Sequence, residues 1–260
     1  MIRYLKLLVL LLRVSLMNEA AYRADFFLRA GWSLVAVAGE LTALWIVFAN
    51  TPSLAGWNVY QVLALLGVFR MVGGAIGMVI APSMRRIMED VRNGTLDFLL
   101  TKPVNSQFFA SLRQIVPWRA ADLVIGAVLA LFGGWRAGAR PETLLLFLPL
   151  LAAGIVIVYS IWLVLATTTI WFIRVENIEM VFWNLFEAGR YPMDIYPRLL
   201  RRLLTYLVPV AFIITVPAGA LAGKTRPWQV LAALALSAAS LVTASLFWRY
   251  GLRHYRGASA

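Results

Sequence analysis

Cysteine is absent from the 260 residues, and the single histidine stands near the C-terminal end, at position 254. The first absence excludes disulfides, thiolate nucleophiles and thiolate metal sites; the second leaves nothing with which a tail imidazole could form a metal centre. Charge is scarce too. Asp, Glu, Lys and Arg make up 14% of the chain, against about 25% in an ordinary soluble domain. The 12 carboxylates are few and scattered, with no nucleophile and base set together, so enzymatic chemistry within the membrane has no residues to run on.

What is abundant is apolar. Hydrophobic residues are 62% of the chain and the mean hydropathy is +0.79. Apolar runs of about 20 residues recur, each long enough to cross ~30 Å of hydrocarbon as a helix. The fold class is therefore all-α and polytopic. Clear spans are expected near 31–51, 58–81, 119–135, 144–168 and 228–248. The net charge of +12 does not indicate nucleic acid, because the basic residues lie between apolar spans, as the positive-inside rule requires. In the opening "MIRYLKLLVLLLRVSL", Arg3, Lys6 and Arg13 share one helical face opposite leucines. Arg13 interrupts the apolar run and no small-residue cleavage site follows closely, so 1–29 reads as an amphipathic interfacial helix rather than a signal peptide.

Residues 169–227 admit two readings. Hydropathy alone places a span at 203–222. The alternative makes 174–190 a short polar fifth span and turns 193–222, with Pro192, Pro197, Pro209 and Pro217 in or beside it, into a re-entrant hairpin. Moving Arg190, Arg198, Arg201 and Arg202 to the outer side leaves 15 of the 24 basic side chains inside. Both readings give six spans with both termini cytoplasmic.

The most informative stretch is "MRRIMEDVRNGTLDFLLTKPVNSQFFASLRQ", residues 84–114, within a long charged loop at 82–118. The second span's helix is expected to run on to Val91, because no breaker intervenes. Asn93-Gly94 ends it, Thr95 caps a new helix of about two turns, and Pro103 stops that helix. Leu96, Phe98, Leu99 and Leu100 are too apolar for a solvated loop and need lipid or a protein partner.

At this point the sequence resembles the ABC-2 type permeases, in the branch with the pattern G-T-L-D-x-L-L-x-K-P-x-N. The motif here comprises Gly94, Thr95, Leu96, Asp97, Phe98, Leu99, Leu100, Lys102 and Pro103, followed by Asn105. "RYP" (190–192), "IYP" (195–197) and "LVPVAF" (207–212) echo the same family, and the resemblance extends over essentially the whole chain. It implies a membrane half-unit of an ABC exporter in a bacterial cytoplasmic membrane. It further implies a coupling helix at about 95–102 docked on a separate ATPase subunit, and a second permease, more often a different chain than a copy. The same resemblance favours the re-entrant extracellular hairpin and places ATP and Mg on the ATPase, with no cofactor or metal on this chain. Arg174, Glu176, Glu179 and Glu187 make the fifth span more polar than that pattern expects.

Glu40 and Arg70 fall near the middle of the first two spans, where charges pair or line a cavity. Either they form an intramembrane ion pair or they face a transport path. Gly73 and Gly77 form a G-x-x-x-G, a pattern that permits close helix approach. Trp and Tyr near span ends, such as Trp32, Trp57, Trp118 and Trp248, read as an interfacial belt. "AGALAGKT" (218–225) lacks only the first glycine of a phosphate-binding loop, but its apolar flanks and the span that follows make the match fortuitous. Two other functions stay open at this level: an ion-coupled transporter using Glu40 or Glu187, and an assembly subunit without its own path.

Overall fold

The computed structural model describes residues 9–17, 23–172 and 176–255, and they fold into helices with no strand. We number them α1 (residues 9–17), α2 (Arg23–Asn50), α3 (Val59–Arg92), α4 (Asp97–Leu100), α5 (Ser106–Leu112) and α6 (Ala120–Arg136). Then follow α7 (Thr143–Thr168), α8 (Glu176–Glu187), α9 (Arg198–Leu207), α10 (Ala211–Leu221) and α11 (Pro227–His254). Five are long and apolar enough to cross a membrane: α3, α7, α11, the Gly31–Asn50 part of α2, and α6 with the turn before it. The α9–α10 pair, bent by 78°, brings the number to six if taken as one broken span.

Several expected boundaries move. Residues 23–29 belong to the long helix α2 and not to a separate interfacial element, because nothing between Arg23 and Asn50 breaks the helix. Arg3 and Lys6 lie outside the described residues. α8 has 12 residues and ends in a single tight turn, Ala188–Arg190, so it falls short of the ~20 residues that a span needs. Nor is 203–222 one straight helix: the chain turns at Pro209, which cannot continue the helix that precedes it.

The bundle centre is the contact of α3 with α6. Val62 to Arg70 of α3 are buried without interruption. A β-carbon added to Gly67 would lie 2.2 Å from the Ala130 nitrogen; at Gly133 it would lie 2.5 Å from the Ala64 nitrogen. Ala64 and Gly67 of α3 thus face Gly126, Ala130 and Gly133 of α6, with backbone against backbone. Small residues allow this approach, which brings dispersion contacts and weak Cα–H···O bonds where lipid supplies no hydrophobic drive. Gly73 and Gly77 are not the close contact: Gly73 meets a Phe186 ring carbon at 3.7 Å, and Gly77 faces the Arg119 side chain.

Pro82 explains an irregularity in α3. It has no N–H for the carbonyl of Met78, and the helix widens into a π turn at Ile76–Ile80. The Met78 carbonyl accepts instead from Val116 N–H at 2.8 Å, while Ser83 Oγ donates to the Gln114 carbonyl at 2.9 Å. The returning segment 114–116 is thereby stitched onto α3.

α10 is wedged into the core. Gly154 lies against the Ile213 backbone, and Gly189 against Ile214 and Val210. Nearly every α10 residue is buried, so protein packs around this bent segment. By contrast, of the described α2 side chains only Ser33 and Val37 are buried.

Loops gather at two ends. At one end Gln61 Nε2 donates to the Ala222 carbonyl, Lys224 Nζ to Gly56, and the buried Trp57 Nε1 to Asp194. At the other end Gln107 Nε2 donates to Tyr159 and Ser245, and Trp248 Nε1 donates to Ser106. Trp57 and Trp248 are therefore interior anchors and not belt residues, being 2% and 1% exposed.

Replacing Gly67 by Leu should prevent α3–α6 closure, since the obstruction is backbone, whereas Gly73→Ala should be tolerated. Thermal unfolding of the detergent-solubilised protein checks this: Gly67→Leu is expected to lose at least ~3 kcal/mol, and Gly73→Ala less than ~1 kcal/mol.

Candidate functional site

Arg70 reaches two helices from the middle of α3. Its Nε donates to Glu40 Oε2 of α2 at 2.7 Å, and Nη1 donates to Asp122 Oδ1 of α6 at 3.2 Å. Asp122 also accepts from Ser33 Oγ and, at 3.1 Å, from Arg119 Nη1. On its other side Glu40 faces Arg190 Nη2 at 3.7 Å, and that guanidinium pairs with Glu187 at 2.6 Å. The side chains of Arg70, Glu40 and Asp122 are 8%, 12% and 10% exposed. Sequence reading singled out Glu40 and Arg70 but missed Asp122, Arg119, Ser33 and Arg190. The signal for Asp122 was present: an acid three residues after Arg119 at the start of an apolar helix.

The cluster forms the floor of a cleft of about 730 Å³ between α2, α3, α6 and α8. Its walls carry Trp32, Phe69, Trp118, Trp183 and Phe186 beside the charged groups. Arg119 lies over the Trp118 ring at 4.3 Å and Arg190 over Phe69 at 5.4 Å. Of the polar residues in the expected fifth span, Glu179 pairs with Arg85 at the edge of this cleft, while Arg174 and the Glu176 side chain lie outside the described residues.

A second constellation lies where α3 ends. Gly94, at φ +68°, takes the left-handed position after the helix; Gly94 N–H bonds Val91 O and Thr95 N–H bonds Asp90 O. The α4 helix that follows is one turn, shorter than expected. Thr95 does not accept as a cap: its hydroxyl donates to Asp90 Oδ1 at 3.1 Å. Asp90, 3% exposed, also pairs with Arg113 beyond α5, so one carboxylate ties both ends of the loop to α3. Leu96 and Leu99, expected to face a partner, are buried in the chain's own core at 0% and 2%, because a single turn sends them to the same inner side. Leu100 packs partly against that core, Asp97 is half-buried, and Lys102 and Pro103 are exposed. Phe98 points away, 75% exposed. The phenol of Tyr255, beyond the end of α11, is pushed above its usual range by partial burial and then by the Asp97 carboxylate, so Tyr255 lies beside this loop.

"AGALAGKT" is a helix end. Gly223, at φ +66°, follows α10 in the left-handed conformation, with Lys224 N–H bonded to the Gly219 carbonyl. A phosphate-binding loop opens a helix, and this one closes it. Lys224 is spent on Gly56, and Thr225 Oγ1 on the Val216 carbonyl.

The sequence profile of the ABC-2 family transporter proteins matches residues 34–259. The chain belongs to this family. Glu40, Arg70, Asp122 and the Asp90-anchored loop fall within the matched region, while Arg29, Trp32 and Ser33 of the cleft precede it. No curated protein matches the chain at a significant level. As an ABC-2 transporter protein it is a multi-pass membrane component, of a family that associates with ABC ATPase subunits and lacks an ATPase site of its own.

Removing one member of a buried ion cluster strands its partners. Asp122→Asn should cost about 3–5 kcal/mol, while Arg119→Gln, whose guanidinium is 42% exposed, should cost at most ~1 kcal/mol. Thermal unfolding midpoints of the two variants in one detergent measure the difference.

Proposed function

We propose that this chain is the permease subunit of an ABC exporter in a bacterial cytoplasmic membrane, with both termini and loop 82–118 on the cytoplasmic side. A separate ATPase subunit binds ATP and Mg and receives the 94–103 loop in a surface groove, with Phe98 as the inserted ring. The cleft around Arg70 forms part of the substrate path. A second permease, a different chain, completes that path, and the α9–α10 pair re-enters from the outer face.

The observation that carries this reading is the contrast within a single turn. Phe98 is exposed while Leu96 and Leu99 root the turn in the core and Asp90 clamps it from both ends. An exposed phenyl ring on a rigid base suits a protein groove better than water. Force on that base passes directly into α3, in which Arg70 and Arg92 lie about 33 Å apart along the helix. Nucleotide binding on the ATPase then shifts the permease between states by its differential affinity for them. The motif resemblance supports the pairing of two unlike permeases.

An ion-coupled transporter would need a carboxylate able to carry protons. Glu40 and Glu187 are both engaged by Arg190, and Glu40 by Arg70 as well, which counts against that role.

Phe98→Asp is expected to abolish co-purification of the ATPase subunit while leaving membrane insertion and thermal stability near those of the parent chain. Leu99→Asp should fail earlier, by unfolding. An ATPase that still co-purifies with Phe98→Asp at parental stoichiometry would overturn the docking assignment.

A further inference from the structure

Arg70, Arg119 and Arg190 line the cleft with Glu40, Asp122 and Glu187, while Arg85 at its edge is held by Glu179. The carboxylates are already taken. Asp122 accepts from Arg70, Arg119 and Ser33; Glu40 faces Arg70 and Arg190; Glu187 faces Arg190. A guanidinium has five N–H donors and no acceptor, so the cleft holds more donors than acceptors. Arg190 makes this concrete, because its Nε is buried without a hydrogen-bond partner.

The aromatic walls do not restore the balance toward cations. Their π faces are the usual means of holding a cationic amphiphile, but guanidinium groups already cover two of them. Arg119 and Arg29 lie over Trp118, at 4.3 and 5.6 Å, and Arg190 lies over Phe69. Trp32, 75% exposed, and the Phe69–Phe186 stack, with centroids 5.0 Å apart, supply apolar surface beside them. The volume of about 730 Å³ suits a ligand of drug or single-chain lipid size.

We propose that this cleft binds an anionic amphiphile. Its oxygen-rich head lies on the guanidinium edges of Arg119 and Arg190, and its apolar body lies along Trp32 and the Phe69–Phe186 stack. As a statement about the transported compound this rests on the exporter reading above; as a statement about binding it does not. The head could belong to a bilayer lipid or to a smaller compound with the same anionic group, and the two sources share one recognition chemistry.

The test is a tryptophan-fluorescence titration of the purified full chain in an uncharged maltoside detergent, with neither ATPase nor nucleotide present. The probes are dodecyl phosphate, dodecyltrimethylammonium and inorganic phosphate. Dodecyl phosphate should saturate at least about tenfold more tightly than either of the others, since a charged head and an apolar chain each contribute. Arg119→Gln and Arg190→Gln should each weaken it about tenfold, and Arg119→Lys less than about threefold. Competition with phosphatidylglycerol separates the sources. Displacement assigns the site to a bilayer lipid, and persistence assigns it to a smaller anionic amphiphile; both support the proposal. Equal affinity for the anionic and cationic chains overturns it, and so does an unchanged affinity in both Gln variants. The head-group comparison in the parent chain stands even if a variant fails to fold. A parent chain that binds dodecyl phosphate but associates with no ATPase subunit would overturn the exporter reading alone, and a parent chain that associates with the ATPase but shows no preference for dodecyl phosphate would overturn this inference alone.

Discussion

A positive charge in the middle of the most buried of the span-length helices is the constraint around which the bundle is arranged. Arg70 ends a run of nine consecutive buried residues in α3. An unpaired guanidinium there would cost several kilocalories per mole, so neighbouring helices must bring acceptors to it. α2 brings Glu40 and α6 brings Asp122. For α2 this contact matters because Ser33 on Asp122 and Glu40 on Arg70 tie it to the body. α2 is pegged to the bundle by these polar contacts, by Val37, and by Leu41, Leu44 and Phe48 packed against the core, while much of its other described surface is exposed. The same pegs keep open the cleft between α2 and the body.

α3 connects the two constellations. At one end it is pinned by Asp90, which holds the loop from both sides; in its middle it carries Arg70. Between them lies the π turn that Pro82 imposes, where the freed Met78 carbonyl takes up the returning loop through Val116. A proline that would weaken an isolated helix here creates a docking point, because the carbonyl it leaves unpaired has one available partner. Wide turns of this kind are frequent at functional sites, and this one sits between the 94–103 loop and Arg70.

Some of the site was legible in the chain before folding. Glu40 and Arg70 were conspicuous because charge in an apolar run has few explanations. Asn93-Gly94 announced a helix end, since glycine takes the left-handed position without steric cost. The direction of Leu96 and Leu99 was not legible: on a two-turn helix they would serve a partner, and on the one-turn helix that forms they serve the core. Nor was the tight helix contact. Gly73 and Gly77 have the familiar spacing, but the approach is made by Gly67, Gly126 and Gly133, and only the meeting of two helices decides which small residues touch backbone. Asp122 was overlooked because two of its partners, Arg70 and Ser33, are 52 and 89 residues away, although Arg119 is only three.

By itself the sequence determined that this is an all-helical, multi-pass membrane chain of the ABC-2 family. The reasons are local: apolar runs of span length with most charge between them, and, for the family, the motif at 94–105. Tertiary structure alone decided which charges pair, which glycines pack, and that "GKT" closes a helix. It also decided that an arginine-rich cleft lies between α2 and the body. Each of these depends on groups that are distant in the chain and meet only when the helices pack. The free energy of a buried charge is set by what surrounds it, and no window of sequence contains its surroundings.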